Sequence, residues 1–326
     1  MIKDQISEIS QPIKSELDIF NQHFKEAIRS KVGLVDLVAR YIIRQKGKKV
    51  RPLLVLLSAK ITGGITERSY RGAVLVELLH TATLVHDDVV DNANKRRNVW
   101  SINALFKNKV AVLMGDYLLS RGLMIAVDGK DYDFLGVITN TVKRMSEGEL
   151  LQIQKTRKLD IDEETYFKVI SDKTASLLET CCEIGAMSAT DNVEYHKAMG
   201  TFGQSIGIAF QIRDDILDYE GTMKLIGKPV GGDIKEKKIT LPLIHSLENV
   251  SKKEAAYIRN IIKNGSNREK VKEVTEFVRD NGGIKYALET AKQYSDKAKE
   301  AIKVLPDSQS KIALEALVDF VIDRKN

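Results

Sequence analysis

Proline is nearly absent from this 326-residue chain: there are five, and none lies between Pro52 and Pro229. Proline removes an N–H and clashes inside a helix, so this long proline-free interior leaves helices free to run unbroken. Cysteine is scarcer still. Only Cys181 and Cys182 occur, and neighbouring residues make a poor geometry for a structural disulfide. A stapled fold is excluded, and buried thiols in a reducing compartment are expected. Charge of one sign is also lacking. The 51 basic and 45 acidic residues leave a net +6, too small and dispersed an excess to argue for a nucleic-acid partner. The opening MIKDQISEIS has no apolar core of a signal peptide, and apolar stretches such as LLVLL at 53–57 fall far short of the ~20 residues that cross a bilayer. A cytoplasmic protein is expected. Strand signals are weak, with no Asn-Gly hairpin between alternating runs. No linker rich in Ser, Gly or Pro divides the chain. Residues 1–326 are therefore expected to form one all-α domain.

Helical patterning is what the sequence does supply. Ile13, Leu17, Phe20, Phe24 and Ile28 form one apolar stripe; Leu75, Leu78, Leu79 and Ala82 form another. Tyr166, Val169 and Ile170 continue the spacing after a helix start near Asp160–Glu164, and Ile312, Leu314, Leu317 and Phe320 repeat it near the end. Pro52 is suited to the first position of a helix reading LLVLLSAK.

Two acidic triplets with one internal spacing stand far apart: Asp87, Asp88, Asp91 and Asp214, Asp215, Asp218. Residues four apart share a helix face, so each triplet projects carboxylates in one direction. Like charges so close repel unless cations sit between them. Carboxylates without Cys or His partners suit Mg²⁺, which also binds substrate phosphates. Basic groups flank both clusters: Lys46, Lys48, Lys49 and Arg51 upstream, Lys95, Arg96 and Arg97 after the first triplet, Lys228 and Lys238 after the second. Arginine's planar fork pairs well with phosphate oxygens. Taken singly, each signal has a plain reading: a D-D-x-x-D is often a solvated helix face, a K-K-x-R a surface patch, and His80 and His86 ordinary half-buried histidines. It is their order along one chain that points to a diphosphate site.

The segments GKKVRP, ELLHTATLVHDDVVDNANKRRN, SDKTASL, FQIRDDILDYEG and GKPVGGDIKEKKITLP together resemble the trans-isoprenyl diphosphate synthase (polyprenyl synthetase) family over roughly residues 40–245. The resemblance implies an all-α bundle of long helices around a deep central cavity, usually a homodimer. It implies that the two aspartate triplets, Asp87, Asp88, Asp91 and Asp214, Asp215, Asp218, hold several Mg²⁺ ions that grip an allylic diphosphate. Arg96, Lys173, Thr174, Gln211, Lys228 and Lys238 match positions contacting that substrate or its developing cation. Lys48, Arg51, His80 and Arg97 match positions that hold isopentenyl diphosphate. A greasy product would bring the enzyme transiently to a membrane surface.

Ala82 and Thr83 stand just before the first triplet, where short-product members often carry a bulky aromatic. Two small residues there imply a deeper pocket, past Leu78, Leu79 and Met114, and a long-chain product of the kind that becomes a quinone side chain. The alternatives are a farnesyl or geranylgeranyl diphosphate synthase, or a non-catalytic subunit. A class I terpene cyclase is disfavoured by the second triplet together with Lys48, Arg51 and His80. Departures from the family pattern are Lys46 for a glycine, Asn98-Val99-Trp100 for Gly-Lys-Pro, and Lys237 for a glycine.

Overall fold

Among the described residues the proline-free interior is mostly helical, as its apolar spacing predicts. A computed structural model of the chain describes residues 2–45, 47, 49–96, 99–220, 231–264 and 267–323. The N-terminal helices are α1 (Ile2–Ser10), α2 (Lys14–Ile28), α3 (Gly33–Arg44), α4 (Val50–Thr62), α5 (Glu67–Val90) and α6 (Ile102–Asp128). The middle of the chain forms α7 (Tyr132–Lys158), α8 (Glu163–Ile170), α9 (Ser176–Met187) and α10 (Val193–Glu220). Six more follow: α11 (Gly232–Lys235), α12 (Leu241–Glu248), α13 (Lys252–Lys263), α14 (Arg268–Asp280), α15 (Gly283–Ala301) and α16 (Gln309–Asp323). Strand structure among the described residues is one antiparallel pair, β1 (Lys95–Arg96) and β2 (Val99–Trp100). It falls where Asn98-Val99-Trp100 departs from the family pattern. Two compact units form, each from three stretches of chain: Met1–Thr139, Thr180–Met199 and Val304–Leu314 in one, Asn140–Glu179, Gly200–Lys303 and Glu315–Asn326 in the other.

The first unit is organised on α4, α5 and α6. Leu53 to Leu57 are all buried, so α4 is apolar on every side and lies inside the unit. It begins at Val50 rather than at Pro52. The first four helical N–H groups have no intrahelical acceptor, so a proline in the third position loses no bond. A capping box between Thr66 and Ser69 starts α5. Leu75, Leu78, Leu79 and Ala82 are then buried along its length against α6, which contributes Ala111, Met114 and Leu118. Among the described residues one helix, α6, is long and apolar enough to cross a membrane by length and composition alone, although no single apolar run suggested it. About 33% of its most apolar stretch is buried. Trp100 is half exposed, with the Lys95 ammonium over its ring.

A second core is built on α8, α10 and α12–α15. Asp162 caps α8 by accepting from the Thr165 N–H at 2.8 Å, within the predicted start. Ile208, Ile212, Ile216 and Tyr219 bury one face of α10. Between α8 and α9 the helix widens into a π turn over Ser171–Ala175, which no sequence signal announced. In α16 the expected stripe is only partly right: Leu314 and Leu317 are buried, but Ile312 is 57% exposed and Val318 and Val321 take its place.

Candidate active site

Residues far apart in sequence meet in the second unit. Lys173, Thr174, Gln211, Asp215 and Lys238 line one pocket, together with Gln152, Tyr166 and Asp233, over a floor that includes Ile161, Val169, Ile170 and Ile239. Gln211 and Asp215 lie one turn apart on α10, and a chain of hydrogen bonds fixes both. Thr174 Oγ1 donates to Gln211 Oε1 at 3.0 Å, and Gln211 Nε2 donates to Asp215 Oδ1 at 2.8 Å. The other Asp215 oxygen accepts from the Tyr166 hydroxyl at 2.7 Å. Lys173 Nζ reaches Gln152 Oε1 at 2.7 Å and Glu149 Oε2 at 2.5 Å.

Electrostatics set Asp215 apart. It is 5% exposed. Burial, then the charge of Asp233, push its carboxyl up to about 8, against the opposing hydrogen bonds from Tyr166 and Gln211; Asp214 adds to the rise. An anion so costly to hold alone is one that a nearby cation stabilises. Burial likewise raises the Tyr166 hydroxyl well above its ordinary value, with Asp215 adding to the shift, so it stays a donor. Burial draws the Lys238 ammonium down, but its 2.5 Å bond to Glu236 and the charges of Glu236, Asp233 and Glu149 leave it above the usual lysine value. Asp218 is spent differently: its two oxygens accept the Gly232 and Asp233 N–H groups at 3.0 and 2.9 Å, tying α10 to α11. Lys237, where the family carries glycine, adopts a left-handed φ of 60° and donates to the Lys263 carbonyl at 2.9 Å. The strained position is kept without glycine.

The first triplet occupies other surroundings. Asp87 and Asp88 end α5; Asp91 is its C-cap, beyond the last helical residue, with its N–H bonded to the Asp87 carbonyl at 2.8 Å. Asp87 and Asp91 are exposed while Asp88 is buried. Asp88 Oδ1 accepts from Arg96 Nε at 2.8 Å, and its carbonyl accepts from Asn103 Nδ2 at 3.1 Å. The short β1–β2 pair thus brings Arg96 back onto the end of α5. Arg51 lies in the first turn of α4 and His80 is half-buried on α5. Lys49, two residues before Arg51, has a left-handed φ of 48° and turns its ammonium to Asn21 Oδ1. Lys48, Arg97 and Lys228 lie outside the described residues.

Carboxylate oxygens are the only strong donors in both triplets, which fits a hard divalent cation. Among the described residues no three such groups stand close enough to cage an ion unaided. That suits an ion completing its shell with water and substrate oxygens. Sequence reasoning missed Tyr166, Gln152 and Glu149. Tyr166 reads as one more apolar-stripe residue, and the other two as surface positions of an amphipathic helix.

Comparison with known proteins bears on these residues. The model of the polyprenyl synthetase family matches residues 33–279. The octaprenyl diphosphate synthase of Haemophilus influenzae is 34% identical over 321 residues, covering 98% of this chain and 97% of that protein. Among solved structures, a polyprenyl synthase from Caulobacter crescentus complexed with calcium and isoprenyl diphosphate superposes with a TM-score of 0.90 at 30% identity, covering 98% of each chain. A geranylgeranyl pyrophosphate synthase from Bacteroides thetaiotaomicron is 38% identical, with a TM-score of 0.83 over 98% of this chain and 100% of that one.

Proposed function

The chain belongs to the polyprenyl synthetase family and is a trans-prenyltransferase; on that premise we propose that it condenses isopentenyl diphosphate head-to-tail with an allylic diphosphate to give a long-chain polyprenyl diphosphate. The observation that carries this reading is the convergence of Lys173, Thr174, Gln211, Asp215 and Lys238 on one pocket, although they span 66 residues of sequence from 173 to 238. A family motif read by chance would have no reason to converge.

In this reading Asp87, Asp88, Asp91, Asp214, Asp215 and Asp218 are the ligands of Mg²⁺. When bound, the metal supplies positive charge that stabilises the departing diphosphate. Lys173, Lys238, Lys228 and Arg96 hold the allylic diphosphate and collect negative charge as its C–O bond breaks. Thr174 and Gln211, locked to one another, present fixed dipoles to the carbon left positive. Lys48, Arg51, His80 and Arg97 hold isopentenyl diphosphate so that its double bond attacks that carbon at contact distance, and the departed diphosphate takes the proton whose loss restores the double bond. Ile161, Val169, Ile170 and Ile239 exclude water, which would otherwise quench the cation to an alcohol.

Small, buried Ala82 and half-buried Thr83 support a long product, as do octaprenyl-forming relatives. The geranylgeranyl synthase likeness at 38% identity favours a second reading, a shorter product. The same proposal takes residues 1–326 as one catalytic domain, places the enzyme in the cytoplasm, and lets a greasy product draw it transiently to a membrane surface. It also pairs two copies. Leu105, Val112, Leu113, Met124 and Val127 leave much of α6 apolar and exposed, which a second copy would cover. The deciding assay supplies purified protein with Mg²⁺, isopentenyl diphosphate and farnesyl diphosphate and reads product lengths by chromatography. Elongation beyond twenty carbons is expected. Folded protein that extends no allylic starter would point to a non-catalytic subunit, and a product stopping at geranylgeranyl diphosphate would favour the second reading.

A further inference from the structure

The π turn at Ser171–Ala175 carries Lys173 and Thr174, and two helices of the second unit grip it. On α7, Arg144, Gly148 and Gln152 recur at intervals of four and share one face. Arg144 sends its guanidinium along the turn: Nε to Asp172 Oδ1 at 2.9 Å, one terminal nitrogen to Glu179 Oε2 at 2.8 Å, the other to Ser171 Oγ at 3.4 Å. One turn on, a Cβ at Gly148 would stand 3.0 Å from the Lys173 nitrogen and 3.1 Å from Asp172 Cβ. A side chain there would press the turn away by a few tenths of an ångström. A further turn on, Gln152 Oε1 accepts from Lys173 Nζ at 2.7 Å. From the other side α10 repeats the arrangement. A Cβ at Gly207 would stand 2.6 Å from Ala175 Cα, and Gln211 follows four residues later with its bond from Thr174.

A π turn is a less favourable ladder than the α-helix around it and persists where its surroundings over-determine it. We propose that Arg144 is a positioning residue: by bridging Asp172, Ser171 and Glu179 it holds the widened turn in register, and so aims Lys173 and Thr174 into the pocket. The inference rests on the assignment of Lys173 and Thr174 to the allylic site. Arginine suits the task because a planar fork can serve two carboxylates at once, whereas a lysine ammonium at the same place reaches one with certainty and carries no fixed plane. Arg144 does not line the pocket. Its effect therefore has to pass through the turn.

The test uses full-length Arg144→Lys, Arg144→Met and Gly148→Ala, with Lys173→Ala as reference, under Mg²⁺ with farnesyl and isopentenyl diphosphates varied separately. A displaced turn should raise the allylic KM about 5–20-fold and lower kcat about tenfold, while the isopentenyl KM stays within about twofold. Gly148→Ala should give the same split with the guanidinium intact. A merely structural Arg144 predicts something else: kcat falling in step with the folded fraction measured by thermal unfolding, both KM values unmoved. That result, or a parallel rise in both KM values, overturns the proposal. So does full activity in both Arg144 variants while Lys173→Ala loses allylic binding, which would leave the site assignment standing. An allylic KM unchanged by Lys173→Ala would instead remove the assignment itself and the role of Arg144 with it.

Discussion

The same D-D-x-x-D spacing occurs in both units and is held in two different electrostatic states. In the second unit Asp215 is buried among neutral donors, Tyr166 and Gln211, with Asp233 as an unfavourable neighbour, and its carboxyl is pushed up to about 8. In the first unit the equally buried Asp88 has a full positive charge in contact, Arg96 at 2.8 Å, and its two companions are exposed. Spacing decides which way carboxylates point. What they pair with decides the cost of their charge. The second triplet is therefore the one that ought to respond most to a cation, while the first already holds an internal counter-charge at its buried member.

The largest effect should come from removing the carboxylates themselves. Asp88→Ala and Asp215→Ala should each lower turnover by about 10³-fold or more, as expected when transition-state charge stabilisation is lost. Stability should move in opposite directions. Asp215→Asn in metal-free buffer near neutral pH should raise the melting temperature, because it removes a carboxyl whose ionised form burial penalises. Asp88→Asn should lower it, because it strips Arg96 of its partner. Thermal unfolding with a chelator present reads both, and a common sign would erase the distinction drawn above.

The pH dependence sharpens the same contrast. A carboxyl whose folded value lies above its unfolded one binds its proton more tightly when folded. It therefore favours the fold below the unfolded value of about 4 and loses that contribution as pH rises towards about 8. Relative to Asp215→Asn, the metal-free protein should weaken progressively from pH 4 to pH 8, and added Mg²⁺ should close the gap. A difference independent of pH in that window would mean that Asp215 is ionised without penalty.

A third comparison separates bond-breaking from chain length. Ala82→Phe in the first unit should shorten the product while leaving the first condensation within about threefold, since it alters a wall and not a charge. Lys173→Ala in the second unit should slow that condensation without shifting the length distribution of what is made. Chromatography of products from both variants decides it; an unchanged distribution from Ala82→Phe would refute the wall.

Much of this was legible from sequence for physical reasons that differ between residues. Helices were, because burial every three to four residues is a local signal: of the stripe through Ile13, Leu17, Phe20, Phe24 and Ile28, all but the half-buried Leu17 are buried. The convergence of Lys173, Gln211 and Lys238 was legible only through resemblance, since no local rule brings residues from separate elements together. Three things were not legible. The π turn is a response to packing against Gly148 and Gly207, contacts that have no sequence signature of their own. Tyr166 reads as core because its ring is core; only its hydroxyl reaches Asp215. The short β1–β2 pair is too brief to show alternation, and its role is to return Arg96 to Asp88.

The smallest effect is also the most discriminating. Tyr166→Phe removes one hydroxyl, 2.7 Å from Asp215 Oδ2, and little volume. A hydrogen bond to a charged group contributes about 1.5–3 kcal/mol, one to a neutral group about 0.5–1.5 kcal/mol. The loss should therefore depend on whether Asp215 carries its charge. Because the Tyr166 bond favours the ionised form, deleting it raises the Asp215 value further, and the variant should be hurt more at pH 8.5 than at pH 5 in metal-free buffer. With Mg²⁺ bound, ionisation is enforced at both pH values and the two penalties should converge on the larger one. The matching change in the first unit, Arg96→Gln, should show no such growth between pH 5 and pH 8.5. If Tyr166→Phe and Arg96→Gln lose stability in parallel across that range, the two triplets share one electrostatic state after all.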